Sequence, residues 1–141
     1  MIVKIINTST NELPAYQTAG AAGLDIRANL EEPIVLAPLQ RTLVPTGLFL
    51  EIPEGYEVQV RPRSGLAAKH GITVINAPGT IDSDYRGEVK VPIVNLSDES
   101  FTIAHGERIA QMIFAKYERV TFQQVEELSD TQRGTAGFGS T

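Results

Sequence analysis

Short apolar runs that alternate with polar residues are the feature of this sequence that most constrains its fold. The alternation is clearest at residues 57–61, which read Glu-Val-Gln-Val-Arg, and at residues 88–91, which read Glu-Val-Lys-Val. Successive side chains of a β-strand point to opposite faces of a sheet, so this pattern predicts strands. Runs rich in Val, Ile, Leu and Phe predict strands at residues 2–6, 34–36, 48–52, 57–61, 72–75, 88–94, 101–103 and 109–114.

Turn residues separate these runs, as in Pro-Glu-Gly at residues 53–55 and Pro-Gly at residues 78–79. Many short strands joined by turns predict an all-β sandwich or barrel. One segment breaks the pattern, because Ser64 is followed by good helix formers and then by Gly71. Serine favours the N-cap of a helix and glycine its C-terminal end, so we predict one short helix capped by Ser64.

Length and composition limit the class of protein. A chain of 141 residues fits one domain, and its 42% apolar content is that of an ordinary globular protein. It has no apolar run of about 18 residues, and its first ten residues contain one lysine and too short an apolar stretch for a secretory signal. We therefore expect a soluble cytoplasmic protein without a membrane partner. The absence of cysteine excludes disulfides and thiolate chemistry.

The charge balance bears on the kind of ligand. A net charge of -5 is a poor basis for gripping duplex DNA, which requires clustered Lys and Arg, so no nucleic-acid partner is expected. Arginine nevertheless dominates the basic residues, and several arginines stand beside glycine or serine. A guanidinium can hold phosphate oxygens with two hydrogen bonds, so this pattern suits a small phosphorylated ligand.

The segment at residues 61–67 places Arg63, Ser64 and Gly65 at the start of the predicted helix. Free backbone N–H groups gather at such a position, and a glycine allows a phosphate to approach the main chain. The alternative is that Ser64 only caps the helix and Arg63 is a solvated surface charge. Local chemistry leaves both interpretations open.

The segment at residues 76–88 carries three acids and Tyr85 between two predicted strands. A carboxylate there could act as a general base on a water molecule, and a tyrosine ring could pack on a sugar or base. The alternative is a hairpin connection in which Asp and Gly only satisfy the turn geometry. This choice also stays open on local chemistry.

The tail at residues 129–141 is rich in Gly, Ser and Thr and carries Arg133 and Phe138. An arginine and an aromatic ring joined by flexible glycines could form a lid over a nucleotide. The alternative is a disordered tail with an incidental phenylalanine. We expect the tail to be mobile when no ligand is bound.

Two further segments are less informative by themselves. Residues 22–28 alternate like a strand that contains Asp25, and an aspartate in that position more often pairs with an arginine than performs chemistry. Residues 106–112 alternate likewise, and Gln111 there could be a cross-strand hydrogen-bond partner.

Taken together, in this order and at these separations, the five segments resemble the five signature motifs of the trimeric dUTPase family. The resemblance extends over residues 21–141. It implies a jelly-roll-like β subunit that forms a homotrimer, with each active site built from all three chains. It also implies hydrolysis of dUTP to dUMP and pyrophosphate, which keeps uracil out of DNA and supplies dUMP for thymidylate synthesis.

The resemblance also assigns roles to residues. Asp82 matches the catalytic carboxylate that acts on the attacking water, with Asp84 only supportive. Tyr85 matches the tyrosine that excludes a ribose 2'-hydroxyl, and Phe138 matches the ring that stacks on uracil. Substrate binding is implied for Arg63, Ser64, Gly65, Asn76, Thr80, Ile81, Asp82, Tyr85, Lys90, Gln111, Arg133 and Phe138.

Magnesium is the implied cofactor, and it is expected to arrive with the triphosphate. Asp25 is expected to touch the water shell of that ion, so no protein metal cage is needed. Two rivals stay open. One is a dCTP deaminase-like enzyme of the same fold, which needs a glutamate base, and the other is a non-catalytic trimeric nucleotide-binding regulator.

Overall fold

The computed structural model describes residues 1–139 and consists mainly of β-strands, as the sequence pattern predicts. In chain order, the strands are β1 Lys4–Asn7, β2 Gly23–Arg27, β3 Ile34–Leu36, β4 Arg41–Glu51, β5 Tyr56–Arg61, β6 Ile72–Val74, β7 Gly79–Ile81, β8 Glu88–Asn95, β9 Phe101–Ile103 and β10 Arg108–Lys116. The helix α1 spans Ser64–His70. It is the only helix among residues 1–139, and it is far too short to cross a membrane.

Two four-stranded sheets enclose one hydrophobic core. The first sheet has the strand order β1-β4-β8-β6, the second has the order β2-β10-β5-β7, and β3 pairs with β9 beside them. Val44 and Ile93 of the first sheet and Val58 and Met112 of the second are almost fully buried in the same cluster. Burial of such side chains contributes about 1.5–3 kcal/mol each relative to exposure. The arrangement is the all-β, jelly-roll-like fold that was expected.

The strand predicted at residues 48–52 proved to be the second half of a longer strand. β4 begins at Arg41, and its first half was missed because Pro45, Thr46 and Gly47 have the composition of a turn. In the structure these residues form an irregularity within β4, between Pro45 opposite Lys90 and Phe49 opposite Glu88. Gly47 has a positive φ of 72°, a conformation that glycine adopts without steric cost.

The prediction that Ser64 caps the helix was wrong by one position. Arg63 is the N-cap, with extended backbone angles, and no side chain makes a capping hydrogen bond. The carbonyl oxygen of Arg63 accepts the first helical bond, from Ala67 N–H at 3.0 Å. The guanidinium of Arg63 donates to the Asp25 carboxylate and to the carbonyl oxygen of Arg108. These bonds hold Arg63 in an extended conformation, so the helix starts after it. The predicted end is confirmed, because Gly71 adopts the left-handed conformation.

The segment at residues 76–88 is not a simple connection between two strands. The flanking strands β6 and β8 do pair with each other, as in a hairpin. Between them, however, β7 crosses to the other sheet and pairs with β5, so that Thr80 lies opposite Gln59. This crossing was missed because Gly79–Ile81 is only three residues long and is surrounded by turn residues.

The edge of the first sheet carries an exposed ion pair. Lys4 Nζ lies 2.7 Å from Glu51 Oε1, across the register that joins β1 to β4. This hydrogen bond and the charge of Lys4 lower the pKa of the Glu51 carboxyl. The charge of Arg86 adds a smaller effect in the same direction. Neither Lys4 nor Glu51 lies in a segment that carries candidate chemistry, which makes Glu51 a useful control position.

The last segment leaves the sheets after β10. From residue 118 to residue 136 every side chain is exposed, including Phe122 and Leu128. The large apolar side chains at residues 120, 122, 125 and 128 alternate with polar ones.

Candidate active site

Most of the candidate residues predicted from the sequence lie in two groups of side chains. The first, which we call the arginine cluster, comprises Arg63, Arg108, Asp25 and Gln111. The second, which we call the β7 pocket, is a cavity of about 300 Å³ lined by Leu43, Thr80, Ile81, Asp82, Tyr85, Glu88, Val89 and Lys90. The strands of the second sheet set the geometry of the first group, and the β7 crossing sets that of the second.

The arginine cluster is centred on Asp25. Its Oδ1 accepts from Arg63 Nε at 2.9 Å, and its Oδ2 accepts from an Arg108 guanidinium nitrogen at 3.2 Å. The register of β10 places Gln111 opposite Asp25 on one side and opposite Arg61 on the other. The expected arginine pairing of Asp25 is thus present. The carboxylate holds two guanidinium groups in place while leaving much of the surface of Arg108 open to solvent.

The start of α1 lies directly beside Arg63. The first three N–H groups of a helix have no acceptor within it, and here they belong to Ser64, Gly65 and Leu66. A Cβ built at Gly65 meets nothing within 4 Å, so protein packing does not require glycine at this place. Open space over these N–H groups is compatible with the close approach of a phosphate oxygen.

Gln111 is held close to this position by both neighbouring strands. Its Nε2 donates to the carbonyl oxygen of Pro62 at 3.0 Å, which confirms a hydrogen-bonding role. A Cβ at Gly23 would overlap the Gln111 side chain, so glycine on β2 makes room for it. The amide is therefore fixed next to the backbone that precedes Arg63.

A basic depression of about 590 Å³ adjoins the arginine cluster. Arg27, Arg63, His70, His105 and Arg108 contribute to its walls, against the single acid Glu107. An excess of cationic groups around an open depression attracts anions, and guanidinium groups suit phosphate in particular. The sequence-based link between Arg63 and a phosphorylated ligand gains a physical basis here.

Tyr85 forms one wall of the β7 pocket. Its hydroxyl donates to the carbonyl oxygen of Glu88 at 3.0 Å, and its N–H donates to the carbonyl oxygen of Asp82 at 3.2 Å. A Cβ at Gly87 would overlap the tyrosine ring, so only glycine allows the ring to lie against the chain there. The ring is about half exposed and is available to pack on a ligand.

Asp82 and Lys90 lie on the same pocket as Tyr85. Asp82 is exposed and follows directly after β7, where the tight turn to Tyr85 presents its side chain. Lys90 Nζ is 3.5 Å from Glu88 Oε2, in a pair that is partly exposed. The pocket therefore combines a solvated carboxylate, an aromatic face and an ammonium group.

Asn76 lies beside the β7 pocket and does not line it. Its side-chain amide packs against Gly79, where an added Cβ would come within 3.1 Å of Nδ2. Asn76 is exposed, and the Ala77–Pro78 peptide bond that follows is cis. The amide lies beside Gly79, the first residue of β7, and the next two residues of that strand, Thr80 and Ile81, line the pocket.

Three residues of the pocket were missed by sequence reasoning. Leu43 comes from β4, and no local signal in the sequence connects it with residues 80–90. Glu88 was counted among the three acids of residues 76–88 but received no role of its own, and Val89 directly follows that segment. The acidic character of Glu88 was the one available signal.

The tail residues lie apart from both groups. Arg133 donates from Nε to the carbonyl oxygen of Ala136 at 2.8 Å, a bond within the tail itself. Phe138 is fully exposed. Within residues 1–139, the arginine cluster, the β7 pocket and the tail make three separate groups.

The family of the chain follows from comparison with known proteins. A family model described as dUTPase matches residues 9–141. The chain belongs to the dUTPase family. The match includes all five segments that carry the candidate residues, so the class of enzyme is a hydrolase of nucleotide metabolism.

Relatives of the dUTPase family match over nearly the whole chain. The deoxyuridine 5'-triphosphate nucleotidohydrolase of Cytophaga hutchinsonii is 68% identical over 139 residues, covering 99% of this chain and 90% of that protein. The protein of the same name from Finegoldia magna is 61% identical over 141 residues, covering 100% and 99%. The dUTPase of Staphylococcus bacteriophage 80alpha, solved with dUPNHPP, is 28% identical, with a TM-score of 0.89 and coverage of 99% and 98%.

The division into three groups has a direct meaning for a dUTPase. A nucleoside triphosphate needs contacts to base, sugar and phosphates at one place. In this chain the residues around the basic depression and those around the β7 pocket do not overlap. Within residues 1–139 of one chain, these two sets of candidate residues are therefore separate.

Proposed function

We propose that this chain hydrolyses dUTP to dUMP and pyrophosphate, with the β7 pocket receiving deoxyuridine and the arginine cluster receiving the phosphates. The observation that carries the assignment is the β7 pocket, which places Asp82 and Tyr85 on one cavity of about 300 Å³. Membership of the dUTPase family supports the same reaction. The substrate is a small molecule, and neither nucleic acid nor a membrane is proposed as a partner, in keeping with the net charge of -5.

The deoxyuridine is held by both main chain and side chains in this proposal. Thr80 and Ile81 on β7 offer backbone groups to the uracil edge, and Asn76 at the end of β7 adds its amide. Lys90 also lines the pocket. Tyr85 packs on the sugar, and its fixed ring leaves no room for a 2'-hydroxyl, so dUTP is preferred to UTP.

The phosphates are held by charged and backbone donors. Arg63, Ser64 and Gly65 offer a guanidinium and free N–H groups, and Gln111 adds an amide. Asp82 takes a proton from the water that attacks the α-phosphorus. The bond from that phosphorus to the bridging oxygen breaks, pyrophosphate leaves with the electron pair, and dUMP remains.

Magnesium fits this site as part of the substrate. No group of three or more His, Asp or Glu that could form a metal cage occurs among residues 1–139. One carboxylate, Asp25, lies at the arginine cluster, where both of its oxygens already accept from arginine. Asp25 thus suits a contact through the water shell of a nucleotide-bound ion, which supplies charge neutralisation on the leaving group.

A homotrimer would bring the three groups together. The arginine cluster of one subunit, the β7 pocket of a second and the tail of a third would then form each site. The exposed apolar side chains at residues 120, 122, 125 and 128 support contact with a neighbouring copy. In this proposal the tail from residue 129 onward forms a mobile lid on an otherwise single domain, and the enzyme acts in the cytoplasm. Residues 140 and 141 of the predicted lid lie outside the described residues.

Shared sites make a specific prediction about mixed assemblies. Arg63→Ala lacks a phosphate contact and Asp82→Asn lacks the base, so each variant alone is expected to be nearly inactive. When the two variants are refolded together, random assembly should complete about a quarter of the sites, because each site draws these residues from different subunits. The measurement is the rate of pyrophosphate release from the mixture against that of the unmutated chain treated identically.

Control mixtures decide between shared and unshared sites. Arg63→Ala refolded with Gln111→Ala should recover little, since both residues belong to the same cluster. Equal rates for the mixed and separate variants, in trimers verified by mass, would contradict the shared site.

The reaction itself is tested by measuring pyrophosphate release from dUTP, dTTP, dCTP and UTP, with magnesium and with chelator. We expect release from dUTP alone and only with magnesium. Release from all four nucleotides would contradict the assignment of the β7 pocket to deoxyuridine. Ammonia release from dCTP would indicate a deaminase, and binding of dUTP without turnover would indicate a regulator.

A further inference from the structure

The irregular stretch in β4 is held by one carboxylate. The residues between Pro45 and Phe49 lose the regular ladder with β8, because only Val89 stands between their partners Lys90 and Glu88. Glu88 Oε1 accepts from the N–H groups of Thr46 at 3.2 Å and Gly47 at 2.9 Å. Two backbone donors that lack ladder partners are thus satisfied by a charged acceptor, which makes a stronger bond than a neutral one.

The same residue also supports the tyrosine of the β7 pocket. The main-chain carbonyl oxygen of Glu88 accepts the hydroxyl of Tyr85 at 3.0 Å. The second carboxylate oxygen, Oε2, lies 3.5 Å from Lys90 Nζ. The Glu88 side chain is only 21% exposed, so its place is fixed by these partners. The backbone position of Glu88 therefore depends on β4, and the position of the Tyr85 ring depends on Glu88.

We infer that Glu88 is a positioning residue for sugar selection. This inference rests on the proposed dUTP hydrolysis. Its carboxylate anchors β8 to β4, and its carbonyl oxygen fixes the height of the Tyr85 ring over Gly87. If the anchor is removed, the carbonyl oxygen shifts and the ring is free to move away from the sugar. A ribose 2'-hydroxyl then fits more easily, and discrimination against UTP falls.

The test compares kcat/KM for dUTP with kcat/KM for UTP in the full chain. Glu88→Ala is expected to lower this ratio about tenfold, the effect of losing one or two hydrogen bonds. Glu88→Gln keeps an acceptor oxygen for Thr46 and Gly47 and is expected to keep the ratio within about threefold. Because the carboxylate acts through the ring, Tyr85→Phe should lower the ratio too, and the double variant Glu88→Ala/Tyr85→Phe should lower it little further.

Controls separate positioning from general damage. Glu51→Ala removes an exposed carboxylate of β4 and should leave the ratio unchanged. A purely structural role for Glu88 would lower the melting temperature and both kcat/KM values equally, and that outcome would overturn the inference. So would independent, multiplying effects of the two substitutions in the double variant.

A more conservative variant covers the case in which Glu88→Ala does not fold. Glu88→Asp keeps the charge but is one methylene too short to reach both N–H groups, so a lowered ratio is expected with a near-normal melting temperature. An unchanged ratio in folded Glu88→Asp would count against the inference. Failure of the unmutated chain to release pyrophosphate from dUTP is a different result, and it would refute the proposed function instead.

Discussion

Replacing Asp82 by asparagine is expected to reduce pyrophosphate release from dUTP by about 10²–10⁴-fold, the usual contribution of a positioned general base. Asparagine has almost the same shape, so the turn in which Tyr85 N–H donates to the carbonyl oxygen of residue 82 should persist. An amide cannot take a proton from water at neutral pH. The loss should therefore lie in kcat, with KM for dUTP little changed. The measurement is steady-state kinetics with a parallel melting curve.

Asp84 provides the matched control for Asp82. It is exposed in the same turn and, like Asp82, it lines the neighbouring cleft, but only Asp82 of the two also lines the β7 pocket. Asp84→Asn is expected to change kcat less than about threefold, and both variants should unfold within about 0.5 kcal/mol of the unmutated chain. An equal fall of kcat in the two variants would show that the negative charge of the turn, rather than a base at residue 82, accounts for the effect.

The period-two pattern predicted most of the strands because burial of one face leaves a strong sequence signal. Residues 57–61 and 88–94 lie within β5 and β8 as observed. The first half of β4 and the whole of β7 escaped prediction for a physical reason. Both are stabilised by pairing with strands distant in sequence. This pairing keeps Pro45, Gly47 and Gly79 within strands, although their residue types favour turns.

The candidate site was predictable to the extent that each part is local. Asp82 and Tyr85 share one turn, and Arg63 and Gly65 share the start of a helix, so short segments reveal them. Leu43 was not predictable as a pocket residue, because only the pairing of β4 with β8 brings it to the pocket. The pairing of Asp25 with Arg63 was expected in kind, but its second partner, Arg108, depends on the β2–β10 register.

Truncation after Asp130 is expected to abolish most turnover while leaving the fold intact. Residues 131–136 and Phe138 are exposed, and the side chain of Arg133 bonds only within the tail. Loss of such residues should change the melting temperature by less than about 3 °C. Turnover should fall about 100-fold or more, because the tail no longer helps to order the triphosphate or to exclude solvent water.

Single substitutions in the full-length tail locate the cause of that loss. Phe138→Ala removes the ring that is proposed to stack on uracil, and it should raise KM for dUTP and lower kcat. Phe138→Trp keeps a stacking surface and should retain most activity. Because Phe138 is fully exposed, neither change should alter the melting temperature measured without ligand. With a non-hydrolysed dUTP analogue present, the unmutated chain should gain stability through lid closure, and Phe138→Ala should gain less. Equal loss of melting temperature and activity on truncation would mean that the tail stabilises the body of the protein rather than closing over substrate.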